Sequence, residues 1–144
     1  VFAESESFSL SDDEDVLLAN EAFYDAFRGG DLAAMDALWS RRAPVACIHP
    51  CWSALVGRAR VLASWEEIFA SGSTPAIRCA AAIAHVLGDA AFVTCSEVLG
   101  GGRLVATNVF VREDGDWRMV HHHAGPVAAQ DEPPVPAPPR AGRN

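Results

Sequence analysis

Apolar positions recur at helical spacing from residue 16: Val16, Phe23 and Phe27 form a stripe that also contains Asn20, with Leu17 and Tyr24 beside it. Ser11 followed by Asp12, Asp13 and Glu14 supplies an N-cap and first-turn acids, and Gly29-Gly30 supplies a stop. A first helix is therefore predicted between them. Asp31 caps a second, shorter helix whose inner side carries Leu32, Met35, Leu38 and Trp39. Residues 45–49 read as a short strand closed by Pro50, and a loop then leads to Gly57. Beyond Gly57, Val61, Leu62, Trp65, Ile68 and Phe69 mark a third helix, which Gly72 ends. After Pro75 the period changes from 3.6 to two. Strands are predicted at 77–87, 91–99, 104–112 and 117–123, with turns at Gly88-Asp89, Gly100-Gly101-Gly102 and Asp114-Gly115-Asp116. Three helices and a short strand followed by an antiparallel meander define an α+β fold, a curved antiparallel sheet wrapped around the helices.

Composition adds limits. The 144 residues, 50% hydrophobic and 21% charged, suit one globular domain and exclude disorder over most of the length. No apolar run reaches the roughly eighteen residues that a membrane helix needs. The net charge of −8 is concentrated: Glu4, Glu6, Asp12, Asp13, Glu14 and Asp15 lie in the first fifteen residues, with no base among them. All eleven basic residues are arginine, and they nearly balance the acids of the body. That lacks the clustered basic footprint of a nucleic-acid binder, so no nucleic-acid partner is expected. Residues 1–12 read as a flexible acidic arm, 13–127 as the folded domain, and 128–144, with Pro133, Pro134, Pro136, Pro138 and Pro139, as a disordered tail. Val1 opens an acidic segment unlike a secretory leader, and Cys79 and Cys95 sit in strand-like runs. Reduced thiols and a cytoplasmic location are expected.

Several positions draw attention as chemistry. His49 ends the first strand just before Pro50 and could accept a proton near neutral pH. Glu97 and Asn108 stand in strands otherwise rich in Val, Leu and Phe, where a polar group either faces solvent or lines a cavity with partners. In the last strand, strict alternation puts His121 and His123 on one face with Trp117 and Met119, and His122 on the other with Val120. His121 and His123 with His49 would be a permissive three-nitrogen zinc set, but the spacing does not demand a metal and none is expected. Arg103 and Arg118 are candidate ion-pair partners for Glu97. Trp52, in the loop after His49, is expected to cover a pocket mouth. No phosphate-binding loop or nucleophile elbow is present, so no cofactor is expected.

Several strings together resemble a known family: Phe23-Tyr-Asp-Ala-Phe27, Gly30-Asp31, Trp39, Ile48-His-Pro50, Gly57 with Trp65, Ala106-Thr-Asn108, and 114–123. In order and spacing they are similar to the nuclear-transport-factor-two-like superfamily, in its SnoaL-like branch. The resemblance implies a cone-shaped sheet around the helices enclosing a pocket for a small hydrophobic molecule, and a homodimer through the outer sheet face. It also implies a choice between cofactor-free isomerase, dehydratase or cyclase chemistry and a non-catalytic module. Ketosteroid isomerases carry an aspartate base where this chain has His49, and a helix tyrosine near Tyr24; the association domain of calcium/calmodulin-dependent kinase ends in a similar tryptophan-to-histidine strand. On this reading His49 is the base, and Glu97, Asn108 and His123 orient it or stabilise an enolate. Tyr24, Trp52, Trp65, Phe110 and His121 then contact the ligand.

Overall fold

The computed structural model describes residues 11–72 and 76–128. The acidic arm up to residue 10 and the proline-rich tail from residue 129 lie outside the described residues. Helix α1 spans Asp12–Gly29; Ser11 accepts from the Glu14 amide at its start, and Gly30, at φ 59°, closes its end in the left-handed region. Helix α2 spans Leu32–Leu38, capped by the Asp31 carboxylate. Helix α3, Arg58–Ala70, follows Gly57, whose φ of 98° suits glycine, and its inner face carries Val61, Ser64 and Trp65.

The strands are β1 (Ala46–Ile48), β2 (Leu55–Val56), β3 (Arg78–Leu87), β4 (Ala90–Leu99), β5 (Gly102–Glu113) and β6 (Asp116–Pro126). They form one curved sheet in the order β2-β1-β6-β5-β4-β3. Strands β3 to β6 are the expected antiparallel meander. Two features were not in the sequence pattern. The short β1 lies parallel to β6, which makes the sheet mixed, and β2 pairs antiparallel with β1 at the edge. A two-residue strand has no period to read.

The most consequential departure is a β-bulge in β6. Phe110 faces Met119 and Val109 faces His121, so Val120 is an extra residue with no partner of its own on β5. One extra residue reverses the alternation beyond it. Trp117 and Met119 point inward, and so do His122 and Ala124, while His121 is half-buried and His123 exposed. The expectation that His121 and His123 share the inner face is therefore overturned. So is the zinc set built on them, because both lie across the sheet from His49. A second bulge sits in β3 between Ala80 and Ile83, where Ala81 takes a positive φ of 55°.

Helix α1 lies across the concave face of the sheet, packed chiefly on β3. The core joins Phe23, Tyr24, Met35, Trp39, Trp65, Phe110 and Met119, all essentially without solvent exposure. Trp65 meets Phe23 and Phe27 edge-on, with ring centroids 5.5 and 4.8 Å apart. Such pairs add about 0.5–1.5 kcal/mol each beyond burial. Phe110, expected at the ligand, belongs to this packing.

The bulge makes a direct prediction. His122→Ala should cost about 2–4 kcal/mol in urea denaturation, because it opens a cavity and strands the Asn108 carbonyl. His123→Ala should stay within about 0.5 kcal/mol. Equal costs would mean that β6 does not turn over at Val120.

Candidate functional site

One cavity of about 220 Å³ brings together the polar residues that the sequence scatters over three strands. Glu97 from β4, His122 from β6 and His49, just after β1, line it. Phe27, Ile68, Ile77, Leu99 and Leu104 make the rest of its wall apolar. Trp52 stands at the cavity too, 40% exposed, its ring 4.8 Å from that of His49. Trp65 backs the same imidazole from the core, centroid to centroid 4.7 Å.

Glu97 is buried, yet it is not deserted. Helix α1 places Asn20 and Tyr24 four residues apart, hence on one face. The Tyr24 hydroxyl donates to Glu97 Oε2 at 2.6 Å, and Asn108 Nδ2 donates to the Tyr24 oxygen at 3.2 Å and to Asn20 Oδ1 at 2.8 Å. Asn108 Oδ1 lies 2.6 Å from His122 Nδ1, and His122 Nε2 lies 3.7 Å from Glu97 Oε2. Asn108 can face His122 because the register sets them opposite each other across β5 and β6. Cys95 Sγ touches the Tyr24 hydroxyl at 3.3 Å, and Cys79 Sγ accepts from Asn20 Nδ2 at 3.5 Å. Arg118, one of the arginines considered for the carboxylate, reaches Ala37 O and Asp116 instead.

Burial sets the protonation states. It raises Glu97 to about 6, partly offset by the hydrogen bond from Tyr24, and lowers His49 to about 4. His122 falls to about 3 through burial first and then the neighbouring histidines. Tyr24 is pushed above its ordinary range by burial and by the adjacent carboxylate. At pH 7 Glu97 is thus mostly ionised and both imidazoles are neutral, so the Glu97–His122 contact is not an ion pair. His49 Nε2 lies 2.9 Å from Ser64 Oγ, whose own hydrogen goes to Val61 O at 2.6 Å.

His49, Glu97 and Trp52 line the cavity; Tyr24 and Asn108 stand directly behind Glu97 and His122. Trp65 supports His49 from the core. His121 faces outward and meets Ala46 O with Nδ1 at 2.9 Å, and His123 lies on the exposed face. His122, Asn20 and Ser64 were missed. Asn20 had left a signal, a polar residue in an otherwise buried stripe, but nothing in the sequence announced the bulge that turns His122 inward. Among the described residues no three His, Cys, Asp or Glu side chains gather as a metal site, and no helix there is long and apolar enough to cross a membrane.

These shifts fix an acid response. Both histidines have folded values below the ordinary 6.5, so acidification protonates the unfolded chain first and drains stability below that pH. Between pH 6.5 and 5 each should contribute up to about 2 kcal/mol of loss. Glu97 opposes them, since its raised value favours the protonated folded state between about 4.5 and 6. Urea midpoints across this range should fall with acid, and fall less steeply in His49→Gln. A flat profile would contradict neutral buried imidazoles.

The family model for the SnoaL-like domain matches residues 16–129. A protein of Streptomyces avermitilis from the NTF2-like family, a proposed dehydratase, is 38% identical with a TM-score of 0.75, over 82% of this chain and 97% of that one. A proposed calcium/calmodulin-dependent protein kinase type II association domain from Thiobacillus denitrificans is 37% identical with a TM-score of 0.69, over 76% and 93%. F-box protein SKIP8 of Arabidopsis thaliana is 31% identical over 119 residues, 81% of this chain and 52% of that protein, so the chain spans about half the length of this curated relative. With the family model covering the helices, the sheet and every residue around the cavity, this chain belongs to the SnoaL-like domain family, within the NTF2-like fold.

Proposed function

We propose that the chain binds a small apolar carbonyl compound in this cavity and moves a proton on it without a cofactor, with Glu97 as the base. The observation that carries this is one carboxylate, raised to about 6, at the wall of an otherwise apolar cavity beside two neutral imidazoles. A base with that value is largely ionised at pH 7 yet holds a proton well enough to return it. Glu97 takes the proton from the carbon next to the carbonyl, the C–H electron pair passes to the carbonyl oxygen as an enolate, and the proton goes back to carbon. Isomerisation, dehydration and cyclisation all begin this way. His49 is a poor base here, since burial holds it near 4, and its part is to shape the cavity. Tyr24 and Asn108 act as positioning residues through Glu97 and His122, and His123 has no part. Exposed Ile83, Leu87 and Val105 on the outer sheet face support a homodimer. Val105→Glu should then shift the sedimentation coefficient to that of a monomer, and an unchanged value would remove this face from the dimer.

A second reading has its own support. The Tyr24 hydroxyl and the Asn108 amide hydrogens are committed inside the protein, so neither is left to donate to an enolate oxygen. A relative 37% identical is a proposed association domain. Both fit a ligand-binding or dimerising module without catalysis.

Proton exchange separates the two. Small apolar ketones incubated with the protein in deuterated water should exchange their α-hydrogens, as read by NMR. The rate should rise with pH through about 6 as Glu97 ionises, then level off. Glu97→Gln should lower it by about 10²-fold or more, and His49→Ala by much less. Exchange that is absent in the wild type, or untouched in Glu97→Gln, sinks the catalytic reading.

A further inference from the structure

We propose that the cavity selects a small, uncharged hydroxycarbonyl compound, one ring or a short chain in size, and rejects polycyclic, carboxylate-bearing and donor-free analogues. This deepens the cavity reading above and rests on it. Three independent features of the site converge on that class.

The first is volume. A buried cavity of about 150 Å³ holds benzene, so on the same scale about 220 Å³ takes roughly nine non-hydrogen atoms. A fused polycyclic skeleton has about twice that number and would have to leave most of itself outside.

The second is the direction of the hydrogen bonds. An ionised Glu97 can only accept, so the Tyr24 hydroxyl must donate to it. The Tyr24 oxygen then accepts from Asn108 Nδ2, which turns Asn108 Oδ1 toward His122 and makes His122 Nδ1 the protonated nitrogen. His122 Nε2 is left bare beside the carboxylate. Ser64 gives its hydrogen to Val61, so His49 Nε2–H donates to Ser64, and His49 Nδ1 has the Cys47 thiol 3.9 Å away. Within this polar wall, Glu97 and His122 therefore offer acceptors and no donor. A ligand that brings its own hydroxyl can donate to Glu97.

The third is charge. Among the described residues no arginine lines the cavity, and both imidazoles are neutral, so none of these residues offsets a second negative charge next to Glu97.

The test is a set of dissociation constants on the full chain at pH 7.5, by calorimetry. The probes are 4-hydroxyacetophenone, its methyl ether, 4-acetylbenzoate and testosterone. The hydroxyketone should bind about tenfold or more tighter than each of the others. Glu97→Gln, whose amide can donate, should shrink that preference over the methyl ether. Because a buried substitution could unfold the chain, Ile68→Trp serves as the second variant. It narrows the cavity from α3 and should abolish hydroxyketone binding with an unchanged circular dichroism spectrum. Equal or tighter binding of the ether, the carboxylate or the steroid overturns the proposal, and so does binding of none. Deuterium exchange keeps the two readings apart. Selective binding without exchange leaves the ligand class standing and ends the catalytic reading, while exchange without the selectivity does the reverse.

Discussion

A carboxylate placed inside an apolar cone either loses its charge or is met by donors, and the interior of this molecule is organised around the one that Tyr24 meets. Glu97 keeps a value near 6 because burial pushes it up and the 2.6 Å bond from the tyrosine pulls it back. Without such a donor, a buried carboxylate drifts further toward the protonated form. With several, it would be too weak a base to act near neutrality. The single strong donor holds it between the two.

That donor depends on others in turn. Tyr24 is oriented by Asn108, Asn108 by Asn20 and His122, and Asn20 and Tyr24 by their spacing on α1. The chain of bonds ties the helix to β4, β5 and β6, so the helix-to-sheet packing and the polar site are one structure. Buried polar networks are costly when half satisfied. Here the terminal sulfurs of Cys79 and Cys95 take up contacts that an apolar neighbour would leave empty. Burial and the adjacent Glu97 push the Cys47 thiol, beside His49, up to about 12, so it serves as packing and not as a nucleophile.

The opposite end of the cavity is built from aromatic contacts. Trp65 touches Phe23, Phe27, His49 and His122 at once, and so holds both imidazoles against the apolar wall. Rigid rings fix where the two histidines stand more firmly than flexible aliphatic chains would. The neutral state of the imidazoles follows from the same burial.

Local rules by themselves determined the helices and the meander. Ser11, Asp31 and the glycines at 29–30 and 57 act through contacts a few residues away, so their effect can be read in order along the chain. Glu97 and Asn108 were legible as polar positions inside apolar period-two runs, but the sequence left open whether they face solvent or a cavity, and the structure puts both inside. The parallel seating of β1 on β6 and the two-residue β2 could not be read, since both depend on pairing between distant segments. The choice of histidine was decided only in three dimensions. Alternation gave His121 and His123 to the interior; the bulge at Val120 gave it to His122. A bulge adds one residue against one partner strand, so its position is a property of how β6 pairs with β5. No local property of Val120 records that pairing.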